Sequence, residues 1–338
     1  MTGTNDKNSP WVRIVIVNYN SGPWLQKVID GLTAQSLGDF EVVIVDNNSS
    51  DDSLNSLSIP DERFQILAMG ENLGFAAANN RAFVGAKTEW FCTLNPDCVP
   101  QRDWLEYMDA ARQKYPGVDM FGSTQLMADT PTQVDGYGDF LSFYGIPWRA
   151  LHGHDISELP DDDMVAFSPC AAAAFYRRQA FEKVGGFAED FFCYLEDVDL
   201  GWRLQRQGGE CIQVRRSVVH HKGSLITVRN SPFSLFHSQR NRVWMVRRNM
   251  PSLLAALSLL MGAVLYIPIL LFKYDGPGRR AAWRGALSGL STQPPPAKGV
   301  SPASFAKDIL PLLRQGKITI NPYVLSRKIL PFVRKARP

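Results

Sequence analysis

The sequence predicts an α/β protein built on a doubly wound, mostly parallel sheet. Short apolar, β-branched runs alternate with helical stretches. Val12–Val17, Glu41–Val45, Phe64–Leu67 and Trp90–Leu94 read as buried strands, with Trp24–Gln35 and the Ala-rich Phe75–Ala86 as helices among them. That alternation marks strands joined by crossover helices. Polar clusters follow strands one, two and four: Asn18-Tyr19-Asn20, Asp46-Asn47-Asn48-Ser49-Ser50-Asp51 and Asn95-Pro96-Asp97. Ligands of open α/β sheets bind beyond the carboxyl ends of the strands, so chemistry is expected at these clusters. Finally, 338 residues of 45% hydrophobic content amount to about two average domains and fill a sizeable core.

Taken in order, the first ten residues are polar, read as disordered and carry no apolar run of a signal peptide. Ser49, Ser50 and Asp51 are suited to capping a helix after strand two. Residues 119–165 scatter Gly, Pro and aromatics (Tyr137, Phe140, Phe143, Tyr144, Trp148) without a period and read as irregular. Residues 170–186 read as a strand and a helix ending in Gly185-Gly186, Glu196–Arg206 as a helix, and Val214–Val219 as a strand leading into His220-His221.

Charge divides the chain. Residues 1–239 hold 19 Lys/Arg against 31 Asp/Glu, a net of −12, and residues 240–338 hold 17 against 2, a net of +15. Leu253–Phe272 is a run of 20 uncharged residues, the length a bilayer core requires, with arginine and lysine on both sides. It reads as membrane-embedded or membrane-lying; basic flanks at both ends leave orientation open, and Pro268 would permit a shallow re-entrant path. After a Pro-rich linker (291–301), FAKDILPLLR and VLSRKILPFVRK read as amphipathic stretches on anionic lipid, where each Lys or Arg contributes about 1 kcal/mol. The expected organisation is 1–10 disordered, 11–250 catalytic, 251–290 membrane-associated and 291–338 linker and basic tail. Nucleic acid is disfavoured as a partner because the basic residues alternate with Leu and Ile, not with stacking aromatics. Five cysteines without a C-x-x-C pair argue for reduced, buried thiols and against a zinc site or disulfide framework.

Four groups of residues could carry chemistry. Asn95 and Asp97 end a buried strand with an amide and a carboxylate oxygen, ligands suited to Mg2+ or Mn2+ bridging a diphosphate; a plain N-P-D turn is the alternative. Asp46 ends strand two, where a carboxylate can accept from a base or ribose hydroxyl. Asn72, Gly74 and Asn79 lie at a helix start whose small residues permit close approach of a phosphate. In Glu196-Asp197-Val198-Asp199, three carboxylates within four positions fit a helix N-terminus or a proton acceptor; Asp199 pairs with Arg203 at i,i+4, leaving Glu196 and Asp197 free. His220 or His221 could reach a metal or a leaving diphosphate. Neither G-x-G-x-x-G nor G-x-x-x-x-G-K-[ST] occurs, which disfavours dehydrogenases and P-loop proteins, and Asn18-Tyr19-Asn20-Ser21 is not the Gly-rich loop of a nucleotidyltransferase.

The ordered series IVIVNYN, VDNNSSDDS, NLGFAAANN, LNPD, GGF, YLEDVDLGWR and VVHHKGS, covering about residues 11–250, resembles the inverting family 2 glycosyltransferases of GT-A (Rossmann-like) fold, most closely the rhamnosyltransferase-like members. The resemblance implies that Asp46 binds base or ribose with Asn18 and Asn20 nearby. Asp97, with Asn95, would stand at the metal motif, Asp197 would be the base with Glu196 beside it, and His220, less readily His221, would assist metal or diphosphate. It departs where Asn95 replaces the first Asp of the metal motif and where Phe187-Ala188-Glu189 replaces F-D-E. The implied activity is metal-dependent transfer of a sugar, best L-rhamnose from dTDP-rhamnose, to a glycan or lipid-linked oligosaccharide at the cytoplasmic face of the membrane. A UDP-sugar donor is the alternative, and a non-catalytic glycan-assembly scaffold the alternative of another class.

Overall fold

The computed structural model describes residues 9–223, 230–319 and 336. The expected strands form: β1 (Val12–Asn18), helix α1 (Trp24–Thr33), β2 (Phe40–Asp46), β3 (Phe64–Ala68), α2 (Gly74–Phe83) and β4 (Trp90–Leu94). No helix lies between β2 and β3; Asp51–Ser56 is a bend and turns, so Ser49, Ser50 and Asp51 cap no helix there and instead hold the loop. The chain continues through β5 (Cys98–Pro100), α3 (Trp104–Lys114) and β6 (Met120–Met127).

The segment expected to be irregular contains four more short strands, β7 (Val134–Gly136), β8 (Asp139–Ser142), β9 (Pro147–Arg149) and β10 (Met164–Ala166). Each has only three or four residues, too few to show a period. Then come β11 (Ala173–Arg177), α4 (Arg178–Lys183), α5 (Glu196–Arg206), β12 (Cys211–His221), α6 (Pro232–Asn249), α7 (Ser252–Lys273), α8 (Gly276–Ser291), α9 (Leu310–Arg314) and β13 (Ile318–Thr319).

The main sheet runs β10-β12-β6-β11-β4-β1-β2-β3. Strands β4, β1, β2 and β3 are parallel, β11 is antiparallel to both its neighbours, and β6 and β12 are again parallel. The chain winds outward from β1 to β3, then returns to place β4 on β1's other side. That reversal opens a crevice at the carboxyl ends of β1 and β4. Apolar layers cover both faces, which is why the central strands are continuously apolar.

The C-terminal half packs on this body. Helix α8 lies on α6 through small residues: a Cβ at Gly285 would strike the Phe236 backbone, and one at Gly289 would lie 2.7 Å from Val243 Cβ. One face of α7 packs inward, with Ala255 buried and Ser258 Oγ donating to Phe143 O at 2.7 Å. Its other face exposes Leu253, Leu257, Leu260, Val264 and Ile267. Among the described residues no helix is long and apolar enough to cross a membrane.

FAKDILPLLR is not a lipid-lying stretch either. Ile309, Leu312 and Ile318 are buried in a core cluster with Trp202 and Trp244, and β13 pairs with β8. Ile309 and Leu312 face protein, while Phe305 is exposed. The second amphipathic stretch lies outside the described residues, as do the first eight residues.

Candidate active site

The carboxyl ends of β1, β2 and β4 border a cleft of about 1160 Å³ whose walls include Tyr19, Asn47, Asn72, Asn95 and Asp97. A smaller cavity of about 330 Å³, reaching Glu196 and Asp197, adjoins it through shared residues Asn95, Trp148, Arg149 and His221. The two aspartates far apart in sequence therefore open onto one continuous hollow.

Asn18, Asn20 and Asp46 spend their polar atoms on each other's loops. Asn18 Nδ2 donates to Asp46 Oδ1 at 3.1 Å and to Ser49 and Ser53 hydroxyls at 3.0 Å, and Asn20, at φ 51°, accepts from Ser50 N at 2.7 Å. They brace the floor beneath Tyr19 and Asn47. Asn72 accepts from Asn47 Nδ2 at 2.8 Å and from Gly74 N at 2.9 Å, closing the turn into α2. Gly74 sits at φ 78°, and a Cβ there would lie 2.5 Å from the Phe192 ring. Its small size is needed by a protein contact, not only by ligand approach. Asn79, expected in the cleft, is fully buried in α2 and bonds back to Phe75 O at 2.9 Å.

Asp97 is buried at the cleft floor, with its Oδ1 3.4 Å from His221 Nε2; His221 Nδ1 lies 2.8 Å from Asp135 Oδ2 on β7. Flanked by two carboxylates, the imidazole is pushed up to about 9 despite its burial. The same flanking holds Asp135 well below the usual carboxylate range. His220, the more favoured of the pair in the sequence, points away: it pairs with Val99 and its Nε2 meets Gln101 Nε2 at 3.1 Å. Neighbouring residues of a strand face opposite sides, so only one of the two can line the crevice.

A divalent ion fits this corner on the chemistry of its donors. Asp97 offers a hard oxygen, His221 a nitrogen whose opposite ring position is fixed by a carboxylate, and Asn95 lines the same wall. A second cluster, Asp139, Cys170 and Asp197, has ligand atoms within 4.8 Å of one another. That space already holds a cation: Arg149 Nη2 lies 2.8 Å from Cys170 Sγ and Nε 3.4 Å from Asp139 Oδ1.

Asp197 begins α5. Its Oδ2 accepts from Ala171 N at 3.0 Å and its Oδ1 from Val198 N at 2.8 Å. Burial pushes its pKa up against these bonds, and Asp139 beside it rises to about 7, with burial the largest cause. Glu196 is buried, with Oε2 lacking a partner among the described residues, and burial, then the Asp197 carboxylate, push its pKa well above the usual carboxylate range. Asp199 instead pairs with Arg203 at 2.8 Å inside the fold.

The turn into α5 is strained: Phe192, Tyr194 and Leu195 all have positive φ, at 63°, 72° and 65°. Such backbone persists only where its surroundings over-determine it. Asn241 of α6 does so, its amide nitrogen lying 2.9, 2.9 and 2.8 Å from the carbonyls of Phe191, Cys193 and Tyr194.

A sheet that reverses between β1 and β4, with an Asp–His corner at that point and a buried carboxylate opposite, defines a GT-A-type glycosyltransferase. Solved structures share the fold. GalNAc-T7 with UDP, GalNAc and Mn2+ superposes with TM-score 0.59 at 14% identity, covering 72% of this chain and 48% of that one. The mannosyltransferase PcManGT of Pyrobaculum calidifontis, in complex with GDP-Man and Mn2+, gives 0.51 at 16% identity, covering 84% and 88%. The family model Glycosyl transferase family 2 matches residues 13–185, and the chain belongs to that family. It is similar to an N-acetylglucosaminyl-diphospho-decaprenol L-rhamnosyltransferase of Mycobacterium tuberculosis, 27% identical over 235 residues, 62% of this chain and 75% of that protein.

Asp135, Asp139, Trp148, Arg149 and Asn241 were not among the residues singled out by sequence. No local signal marks them, because each reaches the site through pairing or packing with distant segments.

Proposed function

We propose that this glycosyltransferase moves L-rhamnose from dTDP-rhamnose to a hydroxyl of a lipid-linked glycan, inverting the anomeric carbon in one displacement, at the cytoplasmic face of the membrane. The observation that carries the reading is the single hollow onto which Asp97 and Asp197 both open. The choice of sugar rests on similarity to a rhamnosyltransferase.

Asp197 accepts the proton of the acceptor hydroxyl. Two backbone N–H groups fix its carboxylate, and its raised pKa makes it a stronger base than an exposed aspartate. Asp97 and His221, with Asn95, would hold Mg2+ or Mn2+, which when bound supplies positive charge for the departing diphosphate. Asp135 keeps the His221 ring in the orientation that presents Nε2. Against the membrane, the exposed stripe Leu253, Leu257, Leu260, Val264 and Ile267 enters the headgroup boundary, with Lys273, Arg279, Arg280 and Arg284 nearby for anionic lipid.

The test is a thermal-shift panel of nucleotide sugars with and without Mn2+, followed by transfer assays with the stabilising donor. A ligand bound only by the folded state at 100 times its Kd stabilises by about 2.7 kcal/mol. dTDP-rhamnose should give the largest shift; a UDP-sugar giving it would replace the donor. Asp197→Asn should bind donor like wild type and lose turnover by about 10²-fold or more. Donor binding without hydrolysis or transfer by the unaltered protein would favour a scaffold.

A further inference from the structure

Arg149 touches groups at both ends of the hollow. Its Nη1 lies 3.0 Å from Asp135 Oδ2, the same oxygen that meets His221 Nδ1 at 2.8 Å, and His221 Nε2 continues to Asp97. On the other side its Nε lies 3.4 Å from Asp139 Oδ1, and its Nη2 donates to Cys170 Sγ at 2.8 Å. Asp139 and Cys170 are the two groups clustered with Asp197. A continuous polar chain therefore runs from Asp97 through His221, Asp135, Arg149 and Asp139 to the edge of Asp197.

The seat is built for this side chain. Gly136 has no Cβ where the Arg149 stem passes, and one placed there would collide with Cδ. Trp148, next in the chain, is stacked on Phe140 at 4.9 Å, fixing β9 against β8. A guanidinium is planar and presents its donors in a fixed fork, so it can hold two carboxylates at a set separation; an ammonium on a flexible stem holds only one at a time. Cys170, a neutral thiol pushed up to about 12 by burial, accepts the remaining arm without adding charge.

We propose that Arg149 is a positioning residue that fixes the spacing between the leaving-group corner, Asp97 and His221, and the base, Asp197. This rests on the glycosyl-transfer reading above. A displacement with attacking and departing groups on opposite faces of the sugar is sensitive to that spacing, and a misplacement of about 1 Å can cost 10²-fold in rate.

The experiment begins with the full-length wild type, whose transfer activity and Mn2+ binding, read by electron paramagnetic resonance, are measured first; no transfer there fails the glycosyl-transfer reading and not this one. Arg149→Met, which keeps the stem, is expected to lower kcat about 10²-fold with donor KM changed less than about threefold, and to weaken Mn2+ binding about 10-fold or more through the released Asp135–His221 pair. Arg149→Lys should recover only part of kcat. Gly136→Ala, which crowds the Arg149 stem and its Nε without removing any polar side chain, should move kcat and Mn2+ binding the same way. In double-mutant cycles, Arg149→Met should be strongly non-additive with both Asp135→Asn and Asp139→Asn. A raised donor KM with unchanged kcat would instead make Arg149 a direct ligand contact, and full rescue by lysine, or a fall in melting temperature with kcat and Mn2+ binding intact, would reduce it to a structural residue; any of these overturns the proposal.

Discussion

Replacing Asn241 by alanine isolates the support of the strained turn that aims Asp197. The amide nitrogen has two hydrogens and three carbonyls within 2.9 Å, so one full bond and one bond shared between two carbonyls are lost. Phe191 O keeps bonds from Cys193 N at 2.7 Å and Arg240 Nη2 at 3.1 Å, so the loss falls on Cys193 O and Tyr194 O, which are partly reachable by water, at about 0.5–1.5 kcal/mol for each bond. The expected loss of stability is about 1–3 kcal/mol, measured by urea unfolding with an unchanged m-value. Function should suffer beyond stability, because Leu195, at φ 65°, is the residue from which α5 and Asp197 start. Freed of its clamp, the turn relaxes toward ordinary φ values that store about 1–3 kcal/mol less strain per residue, and kcat falls at temperatures where the variant is fully folded. Stability within about 0.5 kcal/mol of wild type together with unchanged kcat would show that the turn holds itself, and would refute the assignment of Asn241 as its clamp.

Four further outcomes follow from the same geometry. A base must be ionised, and burial raises the Asp197 pKa, so kcat in a pH–rate profile should fall with decreasing pH at a higher pH than an ordinary carboxylate near 4 would give. Gly74→Ala should lower the melting temperature and cost about 2 kcal/mol or more, from the positive φ and the Cβ held 2.5 Å from Phe192. His221→Ala should abolish Mn2+ binding measured by paramagnetic resonance, while His220→Ala should leave it within about twofold, since His220 faces Gln101. Leu260→Glu with Val264→Glu should release the protein from anionic vesicles in a flotation assay without altering transfer to a soluble acceptor, both side chains being exposed.

The residues legible in the sequence are those whose placement follows from local rules. Asp97 ends a buried strand, and Asp197 begins a helix, positions that a run of apolar residues or a cluster of carboxylates announces. The choice between His220 and His221 was not legible for a definite reason. In β12, Val214 lies opposite Ser123 and Val218 opposite Thr124, so Arg215, Arg216 and Ser217 intervene without matching residues on β6. Such an irregularity changes which side the later residues face, so alternate positions counted from the strand's start do not carry through to the histidines. Asn79 failed differently: a polar residue in an Ala-rich helix looks free for a ligand, yet its amide is spent on Phe75 O inside the helix.

The division of the chain by charge, acidic up to residue 239 and basic after it, also hides a dependence between the two parts. Asp139 and Arg149 belong to β8 and β9, strands of four and three residues that would be marginal as an isolated hairpin. Strand β13, from near the end of the described chain, pairs with β8, with Leu141 N donating to Lys317 O at 3.3 Å and Phe143 N to Thr319 O at 2.7 Å. Ser258 of α7 adds its bond to Phe143 O. The C-terminal elements thus complete the small sheet that holds Arg149 and Asp139 beside Asp197. Deleting residues 253–338 would remove the exposed stripe and this support together, and loss of activity in such a truncation could not be assigned to detachment from lipid. Point substitutions on the outer face of α7 separate the two, because they alter only side chains that β8 does not touch.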